Sequence, residues 1–267
     1  MRKYLSFFRI RFTNSLQYRA AAYAGIATQF AWGFMELFLF AAFYRSDPSA
    51  FPMSFPQLAS YIWLQQAFLA LFLVWFLEND IFEAIANGGV AYELGRPMDI
   101  YNMWFVKSMA SRSAKTLLRS MPILLIAAFL PAPYGFGLPS STLSFAFFAL
   151  SLLLCFLVVV SFCMLIYISA FFTLSPLGVR IVAISLVELL SGSVIPLPFL
   201  PDSLRRIVEL LPFASMQNMP FRLYSGNIAG LDRLIGISLQ VFWLVALVVL
   251  GKLLMKKALK RVVIQGG

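Results

Sequence analysis

Long apolar runs, separated by short polar or proline-rich stretches, dominate the chain. About 20 apolar residues make a helix long enough to cross a hydrocarbon core of roughly 30 Å, and the pattern predicts six such crossings. The first extends from about Ala20 to Tyr44, between Arg19 and Arg45, with Glu36 as its only charge. A loop carrying Pro48, Pro52 and Pro56 leads to an uncharged second span, Leu58 to Leu77. The apolar residues before Pro131 begin only at Ser120, so the third span is expected to start earlier, near Lys107 to Lys115. A turn at Pro131, Pro133, Gly135, Gly137 and Pro139 precedes the fourth run, Ser141 to Phe172, which is long enough to tilt or to project from the bilayer. After Ser175 and Pro176 the fifth runs from Leu177 to about Ile195 and carries Glu188. The sixth, Leu234 to Gly251, ends in a basic tail of Lys252, Lys256, Lys257, Lys260 and Arg261. The expected fold class is therefore an all-α integral membrane protein with six transmembrane helices, forming one domain over residues 1–267.

Three segments depart from this simple alternation. In residues 1–19, Leu5, Phe8, Phe12 and Leu16 share a helical face, with Arg2, Lys3, Arg9 and Arg11 largely elsewhere, which predicts an amphipathic helix on the inner membrane surface. Arg9 and Arg11 interrupt the apolar stretch that a signal peptide needs, so this segment is expected to be retained. Residues 78–99 are polar overall, yet Ile81, Phe82, Ile85 and Ala86 recur at helical spacing before the pair Gly88 and Gly89. That apolar face is either something to press against or a loop helix resting on lipid. In residues 192–232, Pro196, Pro198 and Pro201 end the fifth helix early. Asp202 or Ser203 is expected to cap a short helix with Leu204, Ile207, Val208 and Leu211 on one face and an Arg205–Glu209 pair on the other. Non-helical backbone at membrane depth must be buried in protein or line water, so this outer pair of helices is expected to dip into the leaflet and roof a cavity.

Composition agrees with membrane residence: 61% of the residues are hydrophobic and 12% charged, whereas a soluble domain is about half apolar and a quarter charged. The net charge of +10 does not point to nucleic acid, because the cations gather beside the apolar runs, where membrane proteins meet anionic lipid. With the N-terminus inside, the outer side receives only Arg45, Arg205, Arg206, Arg222 and Arg233 of the 21 Lys and Arg. That asymmetry predicts a multi-pass protein of the inner (cytoplasmic) membrane with both termini cytoplasmic.

Candidate chemistry is sparse. There is no histidine, which argues against a zinc site or a histidine-based triad. Cys155 and Cys163 lie within one apolar run and read as packing residues. Arg112, Lys115 and Arg119 share a helix face and either snorkel to the inner interface or face a polar cavity. Glu36 and Glu188 are carboxylates within apolar runs; structural pairing and contact with a substrate are both open to them. No G-x-x-x-x-G-K-[ST] phosphate loop occurs, so no ATPase, catalytic residue, metal or cofactor is expected in this chain.

The run IFEAIANGGVAYELGRPMDIYNMW, Ile81 to Trp104, resembles the signature loop of ABC-2 type permeases, in the subfamily related to the daunorubicin-resistance permeases. The stretch SGSVIPLPFLPDSLRRIVELLPF, Ser191 to Phe213, followed by MPFRLYSG, Met219 to Gly226, is similar to the outer re-entrant region of the same family. The resemblance implies the transmembrane permease of an ABC exporter that moves an apolar or amphipathic substrate. It also implies two copies of an ATP-binding subunit that hold Mg-ATP, and a second permease, identical or related. Residues 1–19 would be the elbow helix. Ile81, Phe82, Glu83, Ile85, Gly88, Gly89 and Tyr92 would form the ATPase-coupling element, and Gly95, Arg96 and Pro97 the turn into the third span. Glu36, Glu188, Pro196 and Pro198 are the candidate substrate path. A secondary transporter would show an internal repeat, and a non-transport role for the same ATP-linked architecture is the other alternative.

Overall fold

The computed structural model describes residues 2–17, 19–47, 51–173 and 176–261; Pro48 and Ser175 lie outside them. Among the described residues the regular elements are all helices, in the order α1 (Arg2–Ser15), α2 (Arg19–Ser46), α3 (Phe55–Phe72), α4 (Asn79–Ala86), α5 (Val90–Leu94), α6 (Ile100–Ala128), α7 (Thr142–Ser169), α8 (Pro176–Leu190), α9 (Asp202–Glu209), α10 (Asn218–Ser225) and α11 (Leu231–Leu259), with a 3-10 turn at Leu197–Phe199 before α9. Among the described residues, three helices are long and apolar enough to cross a membrane: Ala22–Ser46 within α2, Thr142–Ser169 (α7) and Leu231–Leu259 (α11).

The other three long elements miss that standard for separate reasons. α3 carries Gln57, Gln65 and Gln66; α6 carries Lys107, Arg112, Lys115 and Arg119; α8 has 15 residues, or about 22 Å at 1.5 Å per residue.

α7 is the hub, packed against α11, α10, α6, α8 and α3. Its Val158, Val159, Val160, Met164, Tyr167 and Ile168 enter the main core. α2 crosses α3 and α6, and its small residues let it come close. A Cβ on Gly33 would sit 3.0 Å from the Trp63 ring, and one on Gly25 would sit 2.7 Å from the Arg119 guanidinium carbon. Trp63 is enclosed by Phe30 and Phe34, and its indole N–H donates to the Tyr134 carbonyl at 2.8 Å. Both terminal helices reach the same end of the bundle: Lys3 of α1 donates to the Pro97 carbonyl, while Lys252 of α11 lies over the ring of Tyr101, at the start of α6.

The boundaries correct the sequence reading in several places. The second apolar run stops being helix at Phe72, because Leu73 turns to extended backbone. The third helix begins at Ile100, well before Lys107, with the Asp99 carboxylate accepting from the Asn102 N–H at 2.8 Å as its N-cap. The fifth ends at Leu190, before the prolines, where the chain turns through Gly192 at φ +81°. Pro201, and neither Asp202 nor Ser203, occupies the N-cap of α9. The expected Arg205–Glu209 pair is replaced by Arg205 with Asp202 at 2.7 Å and Glu209 with Arg222 at 2.5 Å. Glu209 turns toward Arg222 because α10 folds back beside it, a tertiary contact that helical spacing cannot show. Of the four apolar residues assigned to the α9 face, Val208 is buried, whereas Leu204 and Ile207 are exposed.

α1 also differs in detail. It packs along α6, with the Tyr4 hydroxyl accepting from the Asp99 N–H at 3.1 Å. Phe7 meets the main core, whereas Leu5 is 71% exposed. Phe8 and Phe12 stack on one another with centroids 5.8 Å apart.

Candidate functional site

Residues 78–99 form a two-helix element, α4 and α5, clamped to the bundle on several sides. The Glu78 N–H donates to the Tyr167 hydroxyl at 2.8 Å. Asp80 pairs with Lys107, the Trp104 indole donates to Glu93 at 2.5 Å, and Arg180 donates to Asn79 at 3.1 Å. Arg180 also lies over the Phe82 ring, 5.2 Å from its centroid. α6, α7 and α8 therefore each hold this element by a polar side chain.

The sequence-derived coupling residues separate into two groups. Ile81 and Phe82 are buried in the main core and Ile85 packs against it, so the apolar stripe of α4 presses on its own bundle. Glu83, Gly88, Tyr92, Gly95, Arg96 and Pro97 are exposed and Gly89 is half-buried. Gly88 takes φ +71° between the two helices, a conformation that favours glycine. Tyr92 is 86% exposed and stands beside the exposed Leu94. A rigidly held element with an aromatic knob on its outer side can transmit a push.

The clamp continues into the bundle through Arg112 of α6, which is 0% exposed. Its guanidinium donates to the carbonyls of Leu71 at 3.2 Å, Leu73 at 2.8 Å and Phe76 at 3.1 Å, and toward the Cys163 sulfur at 3.2 Å. The last carbonyls of a helix lack intrahelical partners, and Arg112 supplies donors at the end of α3 and in the loop beyond it. This is neither snorkelling nor the lining of a cavity. Lys115 and Arg119 do line a cavity, with both cations over the Phe76 ring at 5.1 and 5.6 Å. The four-donor role of Arg112 was missed in the sequence; its only trace there is an arginine in the stretch where the third span is expected to start.

At the other end, the break after α8 is held by α3. The Tyr61 hydroxyl donates to the Gly192 carbonyl at 3.3 Å and Gln65 donates to the Ser193 carbonyl at 2.7 Å. Tyr61 and Gln65 of α3 thus satisfy irregular backbone that would be costly if buried without partners. Pro196 and Pro198 are buried here. α10, in contrast to the peripheral α9, is buried between α3 and α7. Its Phe221 meets Tyr61 and Phe72 edge-on, and Tyr224 stacks on Phe136 while donating to the Gly137 carbonyl at 3.0 Å. Gln240 of α11 completes the fastening: it accepts from the Ser151 hydroxyl at 2.9 Å and donates to the carbonyls of Ser151 and Ser215 at 3.3 and 3.1 Å. A cavity of about 470 Å³ lies between the re-entrant segment and α11, lined by Pro198, Arg205, Glu209, Asn218 and Arg222 among others.

The two carboxylates have different surroundings. Gln66 donates to Glu36 at 3.3 Å, bringing α2 and α3 together. Glu188 is half-buried on α8, where Ser193 donates to its backbone carbonyl at 2.9 Å. The site residues thus occupy two ends of one bundle: the coupling set lies at the α1 end, and Pro196 and Pro198 at the re-entrant end.

A family model, described as ABC-2 family transporter protein, matches residues 30–266. The chain belongs to the ABC-2 transporter family. No curated protein and no solved structure matches it. Membership of that family, together with the apolar helices, makes this ABC-2 protein a multi-pass membrane protein and points to the permease subunit of an ABC transporter, which works with an ATP-binding subunit.

Proposed function

We propose that this ABC-2 protein is the transmembrane permease of an ABC exporter, in the subfamily related to the daunorubicin-resistance permeases. It moves an apolar or amphipathic substrate with Mg-ATP hydrolysed by two copies of a partner subunit, and it pairs with a second permease, identical or related. In this reading α2, α3, α6, α7, α8 and α11 are the six spans, α1 is the elbow helix, and both termini are cytoplasmic in the inner membrane. The basic tail and α1 share one end of the bundle, in keeping with the side favoured for Lys and Arg.

The observation that carries the proposal is the clamped α4–α5 element with Tyr92 outermost. A push on Tyr92, Leu94 or the Gly95–Pro97 turn reaches α6 through Glu93–Trp104 and Asp80–Lys107, and α7 through Glu78–Tyr167. Ile81, Phe82 and Ile85 then serve as the anchor of the coupling element, while Glu83, Gly88, Gly89 and Tyr92 form its docking side. Motion continues along packed helices toward the re-entrant end, where Pro196, Pro198 and the cavity beside Arg205 and Asn218 form the outer part of the substrate path. Glu188, on α8 just before the break, is assigned to the same path, and Glu36 fastens α2 to α3 through Gln66.

The test is site-directed cross-linking. Cys155 and Cys163 are both buried, so Tyr92→Cys would be the accessible thiol. In native membranes a short thiol-reactive cross-linker should join it to a subunit that mass spectrometry identifies by its phosphate-loop sequence, with ATP changing the yield. A cysteine at Ile207, at the opposite end of the bundle, should not form that product. Capture of the ATPase from Ile207 and not from Tyr92 would overturn the assignment of the coupling end.

A further inference from the structure

At the α1 end of the bundle, α1, the start of α2, α4 and α6 enclose a cavity of about 510 Å³, within the range of small-molecule sites. Its walls carry four cations, Arg11, Lys107, Lys115 and Arg119, against two carboxylates, Glu78 and Asp80, leaving a net of two positive charges. Lys107 and Asp80 neutralise each other directly. Arg11, Lys115 and Arg119 have no carboxylate within ion-pair distance among the described residues. The Nε of Arg119 is buried and has no hydrogen-bond partner there. Both Lys115 and Arg119 are steadied over the Phe76 ring, and the absence of a side chain at Gly25 leaves room for the Arg119 guanidinium.

Preformed cations with spare donors in a partly enclosed site suit a phosphate, which accepts several charge-assisted hydrogen bonds at once. The apolar surroundings favour a lipid as its carrier. Ala22, Phe76 and Leu118 supply apolar wall, and α6 continues away from the cavity with Met121, Leu125 and Ile126 exposed. Ile126 stands two turns beyond Arg119, or about 10 Å along the helix, where an acyl chain attached to a headgroup in the cavity would run. On the other side, α1 presents exposed Leu5 and Ile10, as a helix lying at the headgroup level would.

We propose that this cavity binds the phosphate-bearing headgroup of an anionic lipid, with Lys115 and Arg119 holding the phosphate and Arg11 closing over it from α1. The site does not depend on the transport reading, because lipid binding requires neither ATP nor a partner.

Native mass spectrometry of the full chain, purified in a neutral detergent and titrated with phosphatidylglycerol, phosphatidylcholine or sn-glycerol 3-phosphate, tests it. Phosphatidylglycerol should bind roughly tenfold more tightly than phosphatidylcholine, a difference of the size expected from charge-assisted bonds. Lys115→Gln combined with Arg119→Gln should abolish that preference, and Arg11→Gln, on the surface helix, should lower it about threefold. Lys256→Gln with Lys257→Gln removes the same charge from the exposed tail and should leave it intact. Equal binding of the two lipids, or an equal loss in the tail variant, would overturn the site. Tight binding of glycerol phosphate with the same sensitivity to Lys115 and Arg119 would overturn the lipid assignment and give the cavity to a soluble phosphate.

Discussion

The proposed coupling segment, 78–99, and the proposed re-entrant segment, 192–232, are both built of short helical pieces fastened to the same long helices, but by a different balance of contacts. The first, beyond its apolar anchor of Ile81 and Phe82, is held by charge: Asp80 to Lys107, Glu93 to Trp104, and Arg180 to Asn79 and Phe82. The second has charged contacts at its rim, Arg205 with Asp202, Arg222 with Glu209, and Arg233 donating to the Ile228 carbonyl, but inside the bundle it is held by neutral amides, hydroxyls and rings around Phe221, Tyr224, Ser215 and Gln240. Charged contacts beside water contribute little net stability and can be remade, whereas a neutral network inside the bundle must be satisfied as a whole. One end is thus built to be worked on and the other to hold its shape. Arg112 connects the two, since it fixes the end of α3 whose other half grips the re-entrant break.

Stability should therefore depend most on Arg112. Arg112→Met leaves the carbonyls of Leu71, Leu73 and Phe76 without these donors. At about 1–3 kcal/mol for each unsatisfied buried group, it should cost roughly 3 kcal/mol or more. The folded yield in detergent should collapse, measured by fluorescence-detected size exclusion after heating. Arg112→Lys should recover only part of it, because one ammonium cannot span three carbonyls as a planar guanidinium does. Full stability of Arg112→Met would mean that both ends stand independently.

Next comes Gln240→Leu, which tests the neutral network. It removes the partner of Ser151 and the donor to the Ser215 carbonyl, with an expected loss of about 2 kcal/mol. That loss should be the same in low and high salt. A strong salt dependence of the same melting measurement would show that charge holds this end as well.

Much of this arrangement was legible in the sequence, and what was not has a common cause. Apolar runs located α2, α7 and α11 because lipid-facing length and hydropathy are local properties. The glycine and proline punctuation of 78–99 and 192–201 located both special segments. The ends of α3 and α8, however, are set by distant partners: Arg112 lies about 40 residues from the carbonyls it caps, and Tyr61 lies 131 from Gly192. Ile81, Phe82 and Ile85 looked like a free docking face because helical spacing shows that residues share a face, not what the face meets. The charged spacing of Arg205 and Glu209 failed in the same way, since α10 offers Glu209 a better partner.

A smaller and asymmetric effect is expected at the charge clamp. Lys107 is nearly buried, its side chain 6% exposed, whereas Asp80 is 55% exposed. Asp80→Asn leaves a buried cation unpaired and should cost about 1 kcal/mol, while Lys107→Gln leaves a hydrated carboxylate and should cost less. Both differences should shrink as salt rises. Equal losses from the two variants, unchanged by salt, would place this pair in the same class as the neutral network.

Least of all should stability respond to Tyr92→Ala. The side chain is 86% exposed and its helix is fastened by Glu93 on the other side, so the change should stay within about 0.5 kcal/mol. Association with the ATP-binding subunit should nevertheless weaken roughly tenfold, because exposed aromatic anchors carry a large share of interface energy. Melting of the purified chain and co-purification of the partner subunit measure the two quantities separately. A stable Tyr92→Ala protein that keeps its partner would move the docking side to Glu83 and Arg96. A destabilised one would mean that the knob is part of the clamp, and the contrast between a worked end and a holding end would lose its outermost residue.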